Sequence, residues 1–587
     1  MAKNKKNNLK FQPTPVNLSE KTELELDSAI TNLKYFDYII VPVLALIAAV
    51  WAFYHIGTSI EWDDLLYMNL SHYTTKQTWV LNRYGHIYLQ KLFMFLLNDS
   101  LAGAKAYWCF LYAGSSILIY WCAKLLAPPK GYINAFLAIG FFLSQPLFFR
   151  YAGCTFADMT VMFLLTLGSF IYLAFLGDNQ KHRRLVLIII GAIFFWVVKS
   201  KETGICLAVL FLGMGRNEQG DFKFDRLWKD LGWTAVGIGA ASFILMLLDA
   251  CFLKDFFFSV RPSSIKGLMS FNTGEYIHDQ KNSSWYTILS IGPISAAFLL
   301  YLLAGLKASQ NFTSKTRLFA WLIPLAVIFF ITAIAIQIRA DSTIRYIMPA
   351  VAVICIWAAL CFYVPLEGVV GFNKGKLRIP RFVVVLCILT VTFTIAKLTT
   401  DNAISLVSNA GWTSINAFYN STILPLAITG LIICFIISKK NGIITQAITL
   451  LCFFFVTYYP LNENLTSLKN KDVAKQSQWR YEPYRAFADE LTFNKDVKIF
   501  ISDDIYKTKR MLGRNTESHC WLFNVFFNQK FDYNQFIDAP VKEIQKTDFT
   551  YGFISLRDLQ QIDNTIISRK YQIIPDVKAG LVFLKIK

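Results

Sequence analysis

The sequence predicts a polytopic α-helical membrane protein with a small α/β domain at its C-terminal end, and three observations carry that reading. Of the 587 residues, 55% are hydrophobic and 17% charged, against roughly 25% charged in soluble domains. Apolar runs recur along most of the chain, many near the ~20 residues that cross ~30 Å of hydrocarbon. From Pro460 onward the composition shifts to charged segments rich in Tyr and Asn, broken by short strand-like runs. The strict polar–apolar alternation of a membrane β-barrel is absent. The opening MAKNKKNNLK has no apolar stretch of its own, so the first span, and not a cleavable leader, is expected to direct insertion.

A net charge of +19 would suit nucleic acid if the basic residues formed one patch. They sit instead in short loops between apolar runs, which is what the positive-inside rule produces, and nucleic acid is not expected as a partner. Most of the eleven Cys lie inside apolar runs with no CxxC spacing, and they read as small core hydrophobes.

Assigning Lys/Arg-rich loops to the inner side threads the chain. The tail 1–37 carries six Lys and no Arg before Asp37 and stays inside. A first span over about 38–57 delivers the next segment to the outer side. Basic loops at Lys124–Lys130, Lys181–Arg184, Arg216–Lys229, Lys307–Arg317, Lys374–Arg381 and Lys439–Lys440 can all be inner on one condition: the run 86–98 must not cross. That run is short and carries His86, Gln90 and Lys91, so it reads as an interfacial helix on the outer surface. The other spans fall near 105–126, 131–149, 157–176, 185–198, 202–214, 230–251, 285–306, 317–338, 343–364, 381–397, 422–438 and 442–459, about thirteen crossings in all. The domains are then the tail 1–37, a transmembrane region 38–459 with a long outer segment 58–104, and a soluble α/β domain 460–587 on the outer face. Within the last, DVAKQSQWRYEPYRAFADEL is expected to be a helix. VKIFIS (497–502), YGFIS (551–555), YQIIP (571–575) and LVFLKI (581–586) are expected to be strands. No Gly-rich phosphate loop follows the first of these, so nucleotide binding there is not expected.

Ionisable residues at membrane depth cost roughly 2.5–3.5 kcal/mol each and need a reason. Four clusters fall at the outer ends of the spans. They are Asp63/Asp64 in IEWDDLLY, Arg150 and Asp158 in FFRYAGCTFADMTVMF, Lys199, Lys201 and Glu202 in VVKSKETGI, and Arg339, Asp341 and Arg345 in IQIRADSTIRYIMP. Together they would line an outward cavity with carboxylates on one side and cations on the other. A carboxylate within hydrogen-bond reach of a hydroxyl serves as general base. Lys and Arg donors hold a phosphate and stabilise the charge it gains as a leaving group. Such a pairing at the bilayer edge suits transfer of a group off a lipid phosphate to an acceptor from the aqueous side.

These motifs, in this order and on one side, resemble the GT-C glycosyltransferases that use polyprenyl-phosphate sugars. They are most similar to the family 39 type, with protein O-mannosyltransferases and lipid A aminoarabinose transferases. The matching strings are DDLLY (Asp63–Tyr67), with Tyr67 three places after the acidic pair, RYAGCTFAD ending at Asp158, and KETG (Lys201–Gly204). The family's string of Lys followed by two Pro is missing, and NRYGH (82–86) stands in that place, which makes Arg83 and His86 candidate site members. The WWDYG string of oligosaccharyltransferases is absent, which speaks against transfer of whole oligosaccharides to Asn.

The resemblance implies transfer of one sugar from a polyprenyl-phosphate carrier to a protein, lipid or glycan acceptor, by an enzyme surrounded by membrane lipids. It implies Asp63 as the base, Asp64 and Asp158 in support, and the donor phosphate held by Lys199 or Lys201 together with Arg339 or Arg345. Glu202 is expected to pair with a neighbouring Lys. No organic cofactor is implied. A divalent cation stays open, since His55 and His72 flank the acidic pair without the i,i+4 spacing of a helical metal site. His278 and Asp279 are placed in an outer loop. The absence of a disulfide pattern favours a bacterial inner membrane over the endoplasmic reticulum. A polysaccharide polymerase or ligase, and a lipid or sugar transporter, are the alternatives.

Overall fold

The computed structural model describes residues 37–53, 62–76, 83–126, 131–143, 157–176, 180–217, 221–261, parts of 349–359, 496–508, 516–527, 530–576 and 580–587. The spans expected beyond 261, and the helix expected before the first strand of the C-terminal domain, lie outside these residues, apart from a few buried positions between Val351 and Ala359.

The first half is helical. Its elements are α1 (Asp37–Phe53), α2 (Trp62–His72), α3 (Tyr84–Leu97), α4 (Ser100–Leu126), α5 (Gly131–Leu143), α6 (Ala157–Phe175), α7 (Gln180–Ser200), a 3-10 segment (Glu202–Gly213) and α8 (Phe224–Leu253). Among the described residues α4, α6 and α8 are long and apolar enough to cross a membrane. Side-chain contacts fix the directions. Tyr120 and Lys124, near the end of α4, bond Asp37 at the start of α1. Asn134, early in α5, donates to the Ala123 carbonyl at 2.6 Å. α4 and α6 run parallel, Tyr107 meeting Thr160 near their starts and Cys122 facing the Thr166 carbonyl further down. α7 starts where α6 ends and returns to bring Lys201 against Asp158 at the start of α6.

α7 and α8 also run parallel, so the chain must return between them. The 3-10 segment does this in 12 residues. At about 2.0 Å per residue it reaches roughly 24 Å, where an α-helix of that length would reach roughly 18 Å. Apolar on nearly all sides, it packs in the core with Leu207, Leu210 and Met214 buried. Parallel α7 and α8 touch backbone to backbone: a Cβ on Gly237 would stand 1.9 Å from the Ile188 carbonyl oxygen, and one on Gly191 2.1 Å from that of Thr234. Only glycine permits that approach.

The bundle therefore has two ends. One gathers Asp37, Lys124, Arg183, Gly215 and Asp230. At this end Arg183 Nε donates to Asp230 Oδ1 at 2.8 Å, a second guanidinium nitrogen bonds Oδ2, and the Gly215 amide donates to the same carboxylate at 2.9 Å. The other end gathers Asp158, Lys199 and Lys201.

Across that second end lies α3. It touches α4 through Phe93 and Tyr107 rings 5.3 Å apart, α6 through His86 and Thr160, α7 through Trp196 Nε1 donating to the Gly85 carbonyl at 3.1 Å, and α8 through Tyr88 and Asp249. A helix meeting four others at the same end lies over them and not alongside. Its polar residues His86 and Gln90 are buried, while Leu92, Phe95, Leu96 and Leu97 are exposed. The sequence expectation of an interfacial helix requires this distribution.

The C-terminal residues form a five-stranded sheet of order β2-β1-β3-β5-β4. The strands are β1 (Ile499–Ser502), β2 (Phe536–Ala539), β3 (Tyr551–Ser555), β4 (Tyr571–Asp576) and β5 (Leu581–Ile586). β2, β1 and β3 are parallel, and β5 is antiparallel to both β3 and β4. Four strands match the expected runs. β2 escaped because FIDA is short, half-buried and followed by Pro540. Alternate residues serve two cores. Phe500, Ile554, Val582 and Leu584 face one, and Ile499, Ile501, Phe553 and Phe583 face the other, which α9 (Thr516–Phe526) covers. That second core does not stop at the domain: Leu66, Tyr67, Met68 and Leu70 of α2 belong to the same buried cluster as Trp521, Leu522 and Phe523 of α9.

Candidate functional site

The site end of the bundle is built from helix termini. Asp158 lies in the first turn of α6 and Lys199 in the last turn of α7, each the charge that complements its helix dipole. Lys201 follows in an extended backbone (φ −168°, ψ 145°) that breaks α7 from the 3-10 segment. That break aims the side chain back at α6, where Nζ donates to Asp158 Oδ1 at 2.5 Å. Both members are closed off from solvent, with side-chain exposures of 2% and 1%. Lys199, also buried, donates to the Ser259 carbonyl in the short turn after α8.

A second cluster sits under α3. His86 Nδ1 is 2.8 Å from Thr160 Oγ1, which is 2.7 Å from the Tyr107 hydroxyl. Thr160 has one hydroxyl proton and two lone pairs, so it donates to at most one of these neighbours and accepts from at least one. The His86 ring meets Tyr67 edge-on at 5.4 Å, joining α3 to the helix of the acidic pair. Asp249, near the end of α8, accepts from the Tyr88 hydroxyl at 2.7 Å and from the Ser259 amide and hydroxyl at 2.8 and 2.9 Å. Burial, then the bond to Asp249, pushes the Tyr88 hydroxyl far above its ordinary range, so it stays a donor.

α2 carries Asp63 and Asp64 in its first turn, one helical turn before Tyr67. Its far end is anchored three ways. Ser71 Oγ donates to Gln90 Oε1 at 2.8 Å, Ser100 Oγ meets His72 Nδ1 at 2.8 Å, and Lys91 Nζ reaches the Ser71 and His72 carbonyls at 3.1 and 3.0 Å. A cation on the last carbonyls is favourable at a helix C-terminus. Burial holds the Lys91 ammonium below its usual range.

Of the residues expected in the site, the structure brings Asp158 and Lys201 into direct contact. It gathers Lys199, His86 and Tyr67 at the same end, and Arg83 stands just before the start of α3. Asp63 and Asp64 are described by their helix alone, and the side chain of Glu202 likewise lies outside the described residues. Lys201 bonds Asp158, from another helix; the expected pairing of Glu202 with a neighbouring Lys lies outside the described residues. Arg150, Arg339, Arg345, His55, His278 and Asp279 fall outside the described residues. Among the described residues no three His, Cys, Asp or Glu side chains converge on a possible metal position. Thr160, Tyr107, Tyr88, Asp249 and Ser259 were missed. Only Asp249 carried a signal, as a carboxylate inside the apolar run MLLDACF.

No family model matches the sequence, and no curated protein does. Among solved structures, ArnT from Cupriavidus metallidurans in the apo state is similar over 94% of this chain and 98% of its own, at 14% identity and a TM-score of 0.48. The same protein bound to undecaprenyl phosphate is similar over 93% and 97%, at 13% identity and a TM-score of 0.48. The oligosaccharyltransferase of Archaeoglobus fulgidus in the apo form is similar over 89% of this chain and 70% of its own, at 12% identity and a TM-score of 0.43. At these identities and scores the activity has to be argued from this chain's own residues.

Proposed function

We propose that the protein is an integral membrane glycosyltransferase of the GT-C kind, moving one sugar from a polyprenyl-phosphate carrier to an acceptor hydroxyl on the outer side of a bacterial inner membrane. The observation that carries this reading is the convergence, at one end of the bundle, of the helix bearing Asp63 and Asp64 with the buried groups Asp158, Lys199 and Lys201. The opposite end holds Lys124 and Arg183, which belong to loops that the positive-inside rule assigns to the inner side, and this supports an outer placement for the convergence.

In the reaction, an acceptor oxygen attacks the anomeric carbon of the donor sugar. Asp63 takes the acceptor proton, with Asp64 and Asp158 orienting the nucleophile. The bond from the anomeric carbon to the phosphate oxygen breaks, and the electron pair leaves with the polyprenyl phosphate. Lys199 or Lys201, with Arg339 or Arg345, stabilises the charge that develops there. Held in a water-poor setting, such cations act more strongly than in bulk water. A chain of about thirteen crossings, an outer segment 58–104 and an extracytoplasmic domain 460–587 complete the reading.

The test is transfer from a radiolabelled polyprenyl-phosphate monosaccharide by purified protein, scored as released polyprenyl phosphate. Asp63→Asn should abolish release while expression and carrier binding persist. Turnover within a few-fold of wild type would remove Asp63 as the base.

A further inference from the structure

α2 is held between two bodies. Toward the bundle it meets α3 and α4 through Tyr67, Ser71 and His72. Toward the C-terminal domain its apolar residues merge with the core under α9. Inside that second contact lies one polar pair, buried on both sides: Asn524 Nδ2 donates to Asn69 Oδ1 at 2.8 Å, across 455 residues of sequence. The orientation of Asn524 follows from its other bond, since Oδ1 accepts the Phe531 amide at 2.6 Å and an amide N–H requires an oxygen there. Asn524 thus spends its oxygen on its own domain and its nitrogen on α2.

A buried amide pair inside an apolar contact contributes little net stability, yet it is costly to leave unmade and is satisfied in one register only. A helix packed by Leu66, Met68 and Leu70 alone could slide or rotate by a fraction of a turn at small cost. The Asn pair removes that freedom.

We propose that Asn524, acting through Asn69, is a positioning residue for the acidic helix, so that the C-terminal domain sets the placement of Asp63 and Asp64 and is required for the chemical step. This rests on the reading of Asp63 as the base.

The test is a double-mutant cycle on the pair with turnover measured as above. Asn69→Ala removes the acceptor of the Asn524 amide, Asn524→Ala removes the donor, and each should lower kcat at least tenfold with donor KM unchanged. Because either change already breaks the pair, N69A/N524A should lose no more than about threefold beyond the worse single variant. A kcat for the double variant equal to the product of the two single effects would overturn the proposal, as would wild-type kcat in Asn69→Ala or a fall carried wholly by KM. If variants at 524 fail to fold, Asn69→Ala decides alone, since it leaves the bond from the Phe531 amide to Asn524 in place. Asp63→Asn is assayed in parallel: an active Asp63→Asn indicts the base assignment, whereas an inactive one beside an active double variant indicts the coupling alone.

Discussion

Removing the charge from Asp158 while leaving Lys201 in place is the perturbation with the most decisive magnitude. At 2.5 Å and an effective dielectric of ~20, the pair attracts by about 332/(20 × 2.5), or roughly 7 kcal/mol. Desolvating two ions costs several kcal/mol each, so the intact pair is close to break-even. Asp158→Asn keeps the cost of the Lys201 ammonium, whose side chain is 2% exposed, and discards most of the attraction. Loss of one partner of a buried pair costs about 3–5 kcal/mol. In a chain of 587 residues this lowers an apparent melting midpoint by roughly 2–4 °C. Replacing both, in D158N/K201M, removes the buried charges together and should bring the midpoint back toward wild type. Transfer should not return with it, because the site reading uses both groups. The measurements are thermal unfolding in detergent and sugar transfer on the same preparations. A single variant as stable as wild type, or a double variant less stable than either single, would refute the electrostatic argument. Recovery of turnover in the double variant would reduce the pair to a structural clamp.

The remaining predictions probe other parts of the same frame. Asp230→Ala, at the opposite end, strands Arg183 and the Gly215 amide and should cost about 3–5 kcal/mol of stability while the protein that survives keeps its kcat, as thermal melts and turnover numbers will show. Gly85→Ala would put a methyl 2.9 Å from the Lys199 carbonyl and from Ser200 Oγ. It should lift α3 off the end of α7 and lower turnover more than it lowers the melting midpoint. His72 is held below its ordinary pKa of 6.5 by burial first and then by the Lys91 charge, with Asp99 opposing. A depressed folded pKa leaves stability intact above the unfolded value and removes it as pH falls through the folded one. Melting midpoints taken from about pH 8 to about pH 5 should therefore fall below roughly 6.5, less steeply in His72→Gln.

What the sequence disclosed follows from what one-dimensional patterns encode. The helices at 100–126, 157–175 and 224–253, and the grouping of Lys124 and Arg183 at one end of the bundle, were legible because hydrophobic length and loop charge are local. The same bookkeeping predicts that 86–98 does not cross, and α3 lies over the ends of its neighbours. Strands β1, β3, β4 and β5 were legible as β-branched and aromatic runs. The pairings were not. Nothing local in KETG says that Lys201 reaches Asp158 on another helix. That outcome depends on an extended residue at the α7 terminus and on where α6 begins. Thr160 and Tyr107 look like ordinary span residues until α3 brings His86 down on them. The union of α2 with the core under α9 depends on elements more than 400 residues apart in sequence, and no window of the sequence contains both.

The position of the ionisable groups bears on the transporter alternative. Alternating-access transporters hold substrate near the bilayer midplane, between half-helices of two repeats. Here the buried charges of the described residues fall at the two ends of the bundle, with Arg183 and Asp230 at one and Asp158, Lys199, Lys201 and Asp249 at the other. Between them α4, α6 and α8 are continuous helices. The middle of the 3-10 segment, the one span that departs from α-helix among these residues, is apolar from Ile205 to Leu212. Between the two ends the buried polar side chains of α4 and α6 among the described residues are hydroxyls such as Ser115, Ser116, Thr166 and Ser169, not charges. A substrate that stays at the end under α3 meets the groups assembled around Asp158, Lys201 and His86. Groups gathered at one face act on what arrives at that face, and the helix of the acidic pair packs at that face with the C-terminal sheet domain against it.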